Sequence, residues 1–192
     1  ADGEPGELVC TQPFPSVPVA IWGDESGERL RAAYFDRWPG IWVQGDRAVR
    51  SADGGFAILG RSDATLNVGG VRIGTAEIYA AIARHPAVAE ALAFSQDWDT
   101  DTRIVLLVVP PTGVELDDAA QASIRSAIRT ACSPRHVPAA IVAVPDLPRT
   151  RTGKLSEVAV RDAVNGRPVA GIDALANPET LDVIVAAVPT RS

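Results

Sequence analysis

From residue 61 onward, helix-spaced and strand-like segments take turns, and this alternation limits the fold more than any other feature of the chain. TAEIYAAIARHP (75–86) puts Ile78, Ala81 and Ile82 at helical spacing and stops at Pro86. AVAEALAFS (87–95) and RIVLLVVP (103–110) read as strands, with QDWDTDT as the turn between them. LDDAAQASIRSAIRTAC (116–132) is a second amphipathic helix, with Ile124 and Ile128 spaced by four. AAIVAVP (139–145) reads as a third strand. A loop carrying Lys154 follows, and SEVAVRDAV (156–164) opens another helix. The last helix is expected in NPETLDVIVAAV (177–188), with Asn177 as its cap and Pro178 in its first turn. The fold class predicted is α+β: a small three-stranded sheet flanked by helices.

Residues 1–62 read differently. ELVCT (7–11), GIWVQG (40–45) and GFAILG (55–60) are short β-prone runs bounded by Gly, Pro and Asp. A loop rich in proline and acid spans 13–28, and AAYFDRW (32–38) has the spacing of a short helix. These strands are too few to close a sheet unaided. A boundary is expected between residues 62 and 63.

Charge and composition exclude several functions. A net charge of −6 and a pI near 4.9 argue against a nucleic-acid surface. RIVLLVV is too short to span a membrane, and no secretory leader is visible, so the expected location is cytoplasmic. Cys10 and Cys132 lack metal or disulfide spacing, and with only His85 and His136 no zinc or other metal site is expected. The chain has no methionine, even at position 1, and starts on a turn that runs straight into a strand; a piece of a longer protein is the expectation.

Three stretches carry chemistry: WVQGD (42–46), GRSDATLNVGGVRIGTAEI (60–78) and PRTRTGKL (148–155). Taken singly, each has a plain reading: a turn Asp, a tight glycine connection, a solvated lysine. Yet Lys154 is the one lysine among 18 Lys and Arg residues. In this order the stretches resemble the adenylate-forming superfamily of acyl-CoA synthetases, peptide-synthetase adenylation domains and luciferases. The shared series is a GD motif, a GR-x-D hinge, a Gly-Gly-x-Arg-Ile loop and P-x-T-x-[ST]-G-K. The segment 13–46, GRSDATLNVGGVRIGTAEIY and the tail GKLSEVAVRDAVNGRPV…NPETLD are further similar to acetoacetyl-CoA synthetases. Glu157 stands where most of the superfamily places an arginine.

The resemblance implies an ATP-dependent acid–CoA ligase of the AMP-forming kind. Residues 1–62 would then end a large N-terminal domain, and residues 63–192 would form a mobile C-terminal lid. It implies Lys154 as the catalytic lysine of adenylation, in a loop shaped by Thr152 and Gly153. Asp46 would bind the ribose hydroxyls, and Arg61 the ribose or phosphate. Asp63 would be the hinge. Gly69 and Gly70 would form a CoA-facing loop, with Arg72 carrying charge to the AMP phosphate. ATP and CoA are the implied substrates, with Mg2+ held by the full-length enzyme rather than by these residues. Other implied partners are the rest of the N-terminal domain, and enzymes that acylate or deacylate Lys154. Neither a nucleic acid nor a membrane is implied.

The first step gathers negative charge between a carboxylate and a triphosphate, so its barrier is largely electrostatic. A compact ammonium on a flexible stem fits between the two groups, where a guanidinium fork would crowd them. The phosphate loop and acyl pocket of the family lie upstream, so residues 1–192 alone are expected to be inactive. An acetyl- or propionyl-CoA synthetase lid and a freestanding non-catalytic binding module are the alternatives. Arg125, Arg129 and Arg135 could meet CoA phosphates, but an amphipathic helix needs a polar face in any case.

Overall fold

The computed structural model describes residues 2–68 and 70–190. It divides into two units, Ala1–Asp63 and Ala64–Ser192.

In the first unit β1 (Pro5–Cys10), β2 (Trp42–Arg50) and β3 (Phe56–Arg61) pair antiparallel in the order β1-β2-β3. β2 does not stop at the expected turn of Gly45 but runs on to Arg50, with irregular register near Arg47 and Ala48. Helix α1 (Glu28–Tyr34) begins four residues earlier than the sequence suggests. The reason is Asp24, whose carboxylate accepts the N–H groups of Leu30 (2.9 Å) and Arg29 (3.2 Å). The Leu30 bond leads in drawing the Asp24 pKa down. Trp42 stacks on Tyr34 with ring centres 3.9 Å apart, and Phe14 and Phe35 meet it edge-on. The three strands do form a sheet, contrary to the expectation of too few, but Ala48 is the only buried hydrophobic residue described in this unit.

The second unit is built on β6 (Glu90–Trp98), β7 (Asp101–Val109) and β8 (Ala140–Ala143), in that order. Before them stand β4 (Leu66–Val68), β5 (Val71–Ile73) and helix α2 (Thr75–Ile82). β6 and β7 form a hairpin that reverses at Asp99 and Thr100, so most of the expected turn QDWDTDT is strand. Asp99 has φ 60°, a left-handed conformation that Asp tolerates better than most residues. β7 pairs parallel with β8, and such a pair needs a long crossover. Helix α3 (Asp118–Ala131) supplies it, its start capped by Asp117, which accepts the Ala120 N–H at 2.8 Å. α4 (Glu157–Val164) and α5 (Thr180–Ala187) complete the unit.

Side chains of a strand alternate between faces, and both faces of this sheet are covered. Leu92, Phe94, Val105 and Leu107 pack with Ala159 and Val160 of α4 and Leu181 and Ile184 of α5. Ala93, Ile104, Leu106 and Val108 point the other way, against Ile78 and Ile82 of α2 and Ile124 and Ile128 of α3. The unit is therefore three layers, helices on either side of the sheet. Among the described residues no helix is long and apolar enough to cross a membrane.

Candidate functional site

Lys154 sits at an exposed reversal of the chain between β8 and α4. The Gly153 N–H donates to Thr150 O and the Thr150 N–H to Lys154 O, each at 2.8 Å. Gly153 has φ +83°, so this turn, followed by a left-handed residue, favours glycine. The Thr150 hydroxyl accepts the Lys154 N–H at 3.1 Å and meets the Thr152 hydroxyl at 3.0 Å. The backbone is thus fixed on both sides of Lys154, while its ammonium makes no ion pair among the described residues. Next to it, Leu155 turns inward and packs on the cluster that holds α4 and α5.

Arg149 braces the turn from its stem. Its guanidinium donates to Gly153 O at 3.1 Å and pairs with the Glu90 carboxylate at the start of β6. The tail crosses the same stem: the Arg151 N–H donates to Ala174 O (3.0 Å) and the Ala176 N–H to Arg149 O (2.8 Å). Asn177, expected as a helix cap, does something else. Its Oδ1 accepts the Arg149 N–H at 2.8 Å, and its Nδ2 donates to Leu147 O (3.0 Å) and to Asp146 Oδ2 (2.9 Å). α5 starts only at Thr180, whose hydroxyl donates to Asn177 O at 2.7 Å.

Arg72 lies in β5, on a second exposed hairpin. β4 and β5 pair with Leu66 opposite Ile73, Asn67 opposite Arg72 and Val68 opposite Val71. Leu66 and Ile73 are buried in the cluster with α2 and α3, which leaves Arg72 on the outer side. Gly70 has φ +75° with open space around it, and Gly69 lies outside the described residues. The Thr102 hydroxyl donates to Asn67 O and ties the hairpin to β7. Lys154, on its turn, and Arg72, on its hairpin, thus stand on segments anchored to opposite faces of one three-stranded sheet.

Asp46, Arg61 and Asp63 are brought together in the first unit. Asp46 and Arg61 are opposite across β2 and β3, with Arg61 Nη1 3.7 Å from Asp46 Oδ1. Asp63 takes Arg61 in a fork, Nε to Oδ1 at 3.1 Å and Nη2 to Oδ2 at 2.9 Å. These bonds hold the guanidinium pKa up, Asp63 ahead of Asp46. Gly45 (φ +81°) makes room for it: a Cβ there would fall 2.9 Å from Arg61 Nη2. Arg61 and Asp63 line an open cleft of about 680 Å³ with Glu7, Tyr34, Trp42 and Gly45. The unit boundary falls just after Asp63.

Two further groups escaped the sequence reading. The Tyr79 hydroxyl accepts the Ala93 N–H of edge strand β6 at 3.0 Å and donates to Glu157 at the start of α4. Burial, then the Glu157 charge, push its pKa up. Asn165 closes the same edge, accepting the Asp97 N–H (2.8 Å) and donating to Ser95 O (3.1 Å). Arg125 holds Pro138 O at 3.3 Å, a structural task within its own unit.

The family model described as the AMP-binding enzyme C-terminal domain matches residues 77–154, ending on Lys154. The chain carries an AMP-binding enzyme C-terminal domain. It is 58% identical over 181 residues to the acetoacetyl-coenzyme A synthetase of Rhizobium meliloti (strain 1021), covering 94% of this chain and 28% of that protein. It is 45% identical to the acetoacetyl-CoA synthetase of Caenorhabditis elegans, over 95% of this chain and 26% of that protein. Among solved structures, the acetoacetyl-CoA synthetase from Streptomyces lividans superposes with a TM-score of 0.88 at 38% identity, over 97% of this chain and 28% of that one. The chain thus spans little more than a quarter of these relatives, the part that contains their C-terminal domain. The α+β architecture expected for this domain is the one observed.

Proposed function

We propose that this chain is the C-terminal part of an ATP-dependent acetoacetate–CoA ligase, inactive by itself, in which residues 63–192 act as a mobile lid and residues 1–62 close the nucleotide-binding body. The single observation that carries the reading is the exposed ammonium of Lys154 on a turn whose backbone is fixed from three sides. The similarity to acetoacetyl-CoA synthetases points to acetoacetate as the acid.

In the first half-reaction an acetoacetate carboxylate oxygen attacks the α-phosphorus of ATP, and pyrophosphate leaves. Lys154 reaches between carboxylate and phosphate and offsets the charge that gathers there. In the second, the CoA sulfur attacks the acyl carbon, AMP leaves and the thiol proton goes to solvent. Gly69 and Gly70 then face CoA, and Arg72 steadies the departing phosphate. Turns anchored to opposite faces of one sheet suit a lid that presents them one at a time, turning at Asp63. Asp46 holds the ribose and Arg61 the ribose or phosphate in both steps. Magnesium would enter with ATP, held by the full-length enzyme rather than by these residues. The setting is the cytoplasm, and acylation of Lys154, by cancelling its charge, would turn the first step off.

The test uses the full-length enzyme. AMP formation is measured with acetoacetate, acetate and propionate; acetoacetate should be strongly preferred, and equal turnover of acetate would overturn the assignment. Lys154→Ala should lower acetoacetate-dependent adenylation by roughly a hundredfold to a thousandfold while sparing thioester formation from preformed acyl-adenylate. Equal loss of both steps would remove Lys154 from the role.

A further inference from the structure

The tail beyond α4 does more than cover the sheet. Residues 174–177 lie along the stem of the lysine turn and satisfy its backbone: Ala174 O, the Ala176 N–H and the Asn177 side chain together engage Arg149 and Arg151. Asn177 is the hub. One amide accepts from Arg149, donates to Leu147 and donates to Asp146, so all its main hydrogen-bonding directions are spent on the stretch 146–149. That stretch opens the segment whose far end is Lys154. Asp146 is itself held in place, accepting the Leu147 N–H at 2.8 Å. Below it Leu147 is fully buried and Leu175 nearly so, in the same cluster. The connection is thus a rigid path of two hydrogen-bonded segments over a packed base, with the ammonium at its exposed end.

We propose that Asn177 is a positioning residue for Lys154, setting where the turn presents its ammonium in the adenylation step. This rests on the reading of Lys154 given above. An ammonium that must sit between two reacting groups is sensitive to displacement of about 1 Å. The second half-reaction uses the other face of the sheet, so loss of Asn177 should not reach it.

The experiment compares full-length wild type, Lys154→Ala, Asn177→Ala and Asn177→Asp. Each is assayed for acetoacetate-dependent pyrophosphate exchange, for thioester formation from preformed acetoacetyl-adenylate, and for amide hydrogen exchange. Asn177→Asp keeps the acceptor for Arg149 but loses both donors and sets a like charge beside Asp146. Both Asn177 variants should lose about tenfold or more in pyrophosphate exchange, with thioester formation within about twofold of wild type. Amides of residues 149–154 should exchange faster, while those of β6 and β7 do not change. The inference is overturned by full adenylation in both variants, by parallel loss of both half-reactions in both, or by selective loss without faster exchange at 149–154. If Lys154→Ala itself spares adenylation, the reading of Lys154 fails first, and that outcome is distinct from a failure confined to Asn177.

Discussion

The turn that carries Lys154 and the turn that carries Arg72 have the same outline, a short antiparallel pair with glycine at its bend and a cation on its outer side, and they are held in opposite ways. The lysine turn is bound through its backbone by Arg149, by Asn177 and by the tail segment 174–176. The arginine turn rests on two buried side chains, Leu66 and Ile73, and on one hydroxyl bond from Thr102. Polar bracing is directional and fixes an atom's place. Apolar anchoring is nondirectional and fixes only that the hairpin stays down. A charge that must insert between two reacting groups calls for the first; a loop that follows a thiol arm calls for the second.

The largest effect that could break this contrast comes from charge shape. Lys154→Arg keeps the charge, yet adenylation should stay at least about tenfold below wild type, because the planar fork cannot occupy the space of an ammonium; pyrophosphate exchange near the wild-type rate would dissolve the argument. Next comes Arg72→Ala, expected to slow thioester formation by roughly tenfold to a hundredfold through loss of a charge-assisted bond, with pyrophosphate exchange unchanged. A fall in exchange would show that the two turns are not divided between the steps. Tyr79→Phe strands the Ala93 N–H and loosens Glu157, which should cost about 1–3 kcal/mol in denaturant unfolding. The Tyr79 pKa is raised on folding, so the unfolded chain gives up that proton first. Stability contributed by Tyr79 is therefore complete below about pH 10 and declines above it, and the Phe variant should lose this slope. Smallest of all, Ile73→Val should cost about 0.5–1.5 kcal/mol and leave both half-reactions within a factor of about two.

Much of the second unit was legible from local pattern. Strand β7 announces itself as an unbroken apolar run closed by Pro110 and Pro111, and α3 by the spacing of Ile124 and Ile128, though its cap at Asp117 was not read. Lys154 stood out as the sole lysine, and it and Arg72 were assigned through the ordered motifs that resemble the family. What stayed hidden is nonlocal. The partners of Asn177 lie about thirty residues before it, and an Asn–Pro pair ahead of a helix looks like a cap whatever the side chain is holding. β2 was cut short at Gly45 because Gly-Asp reads as a turn. In the folded chain that glycine takes a left-handed conformation under Arg61 and the strand carries on. The first unit kept its own difficulty: Val19 and Trp22 are 99% and 98% exposed, and little in such a stretch distinguishes surface from interface.

Lys154 also offers something its neighbours cannot. It is the sole side-chain amine in residues 1–192 and stands in solvent. A brief pulse of amine-selective label, quantified on the peptide that contains it, would therefore act as a footprint that needs no substitution, reading how far that amine is shielded at each stage of turnover.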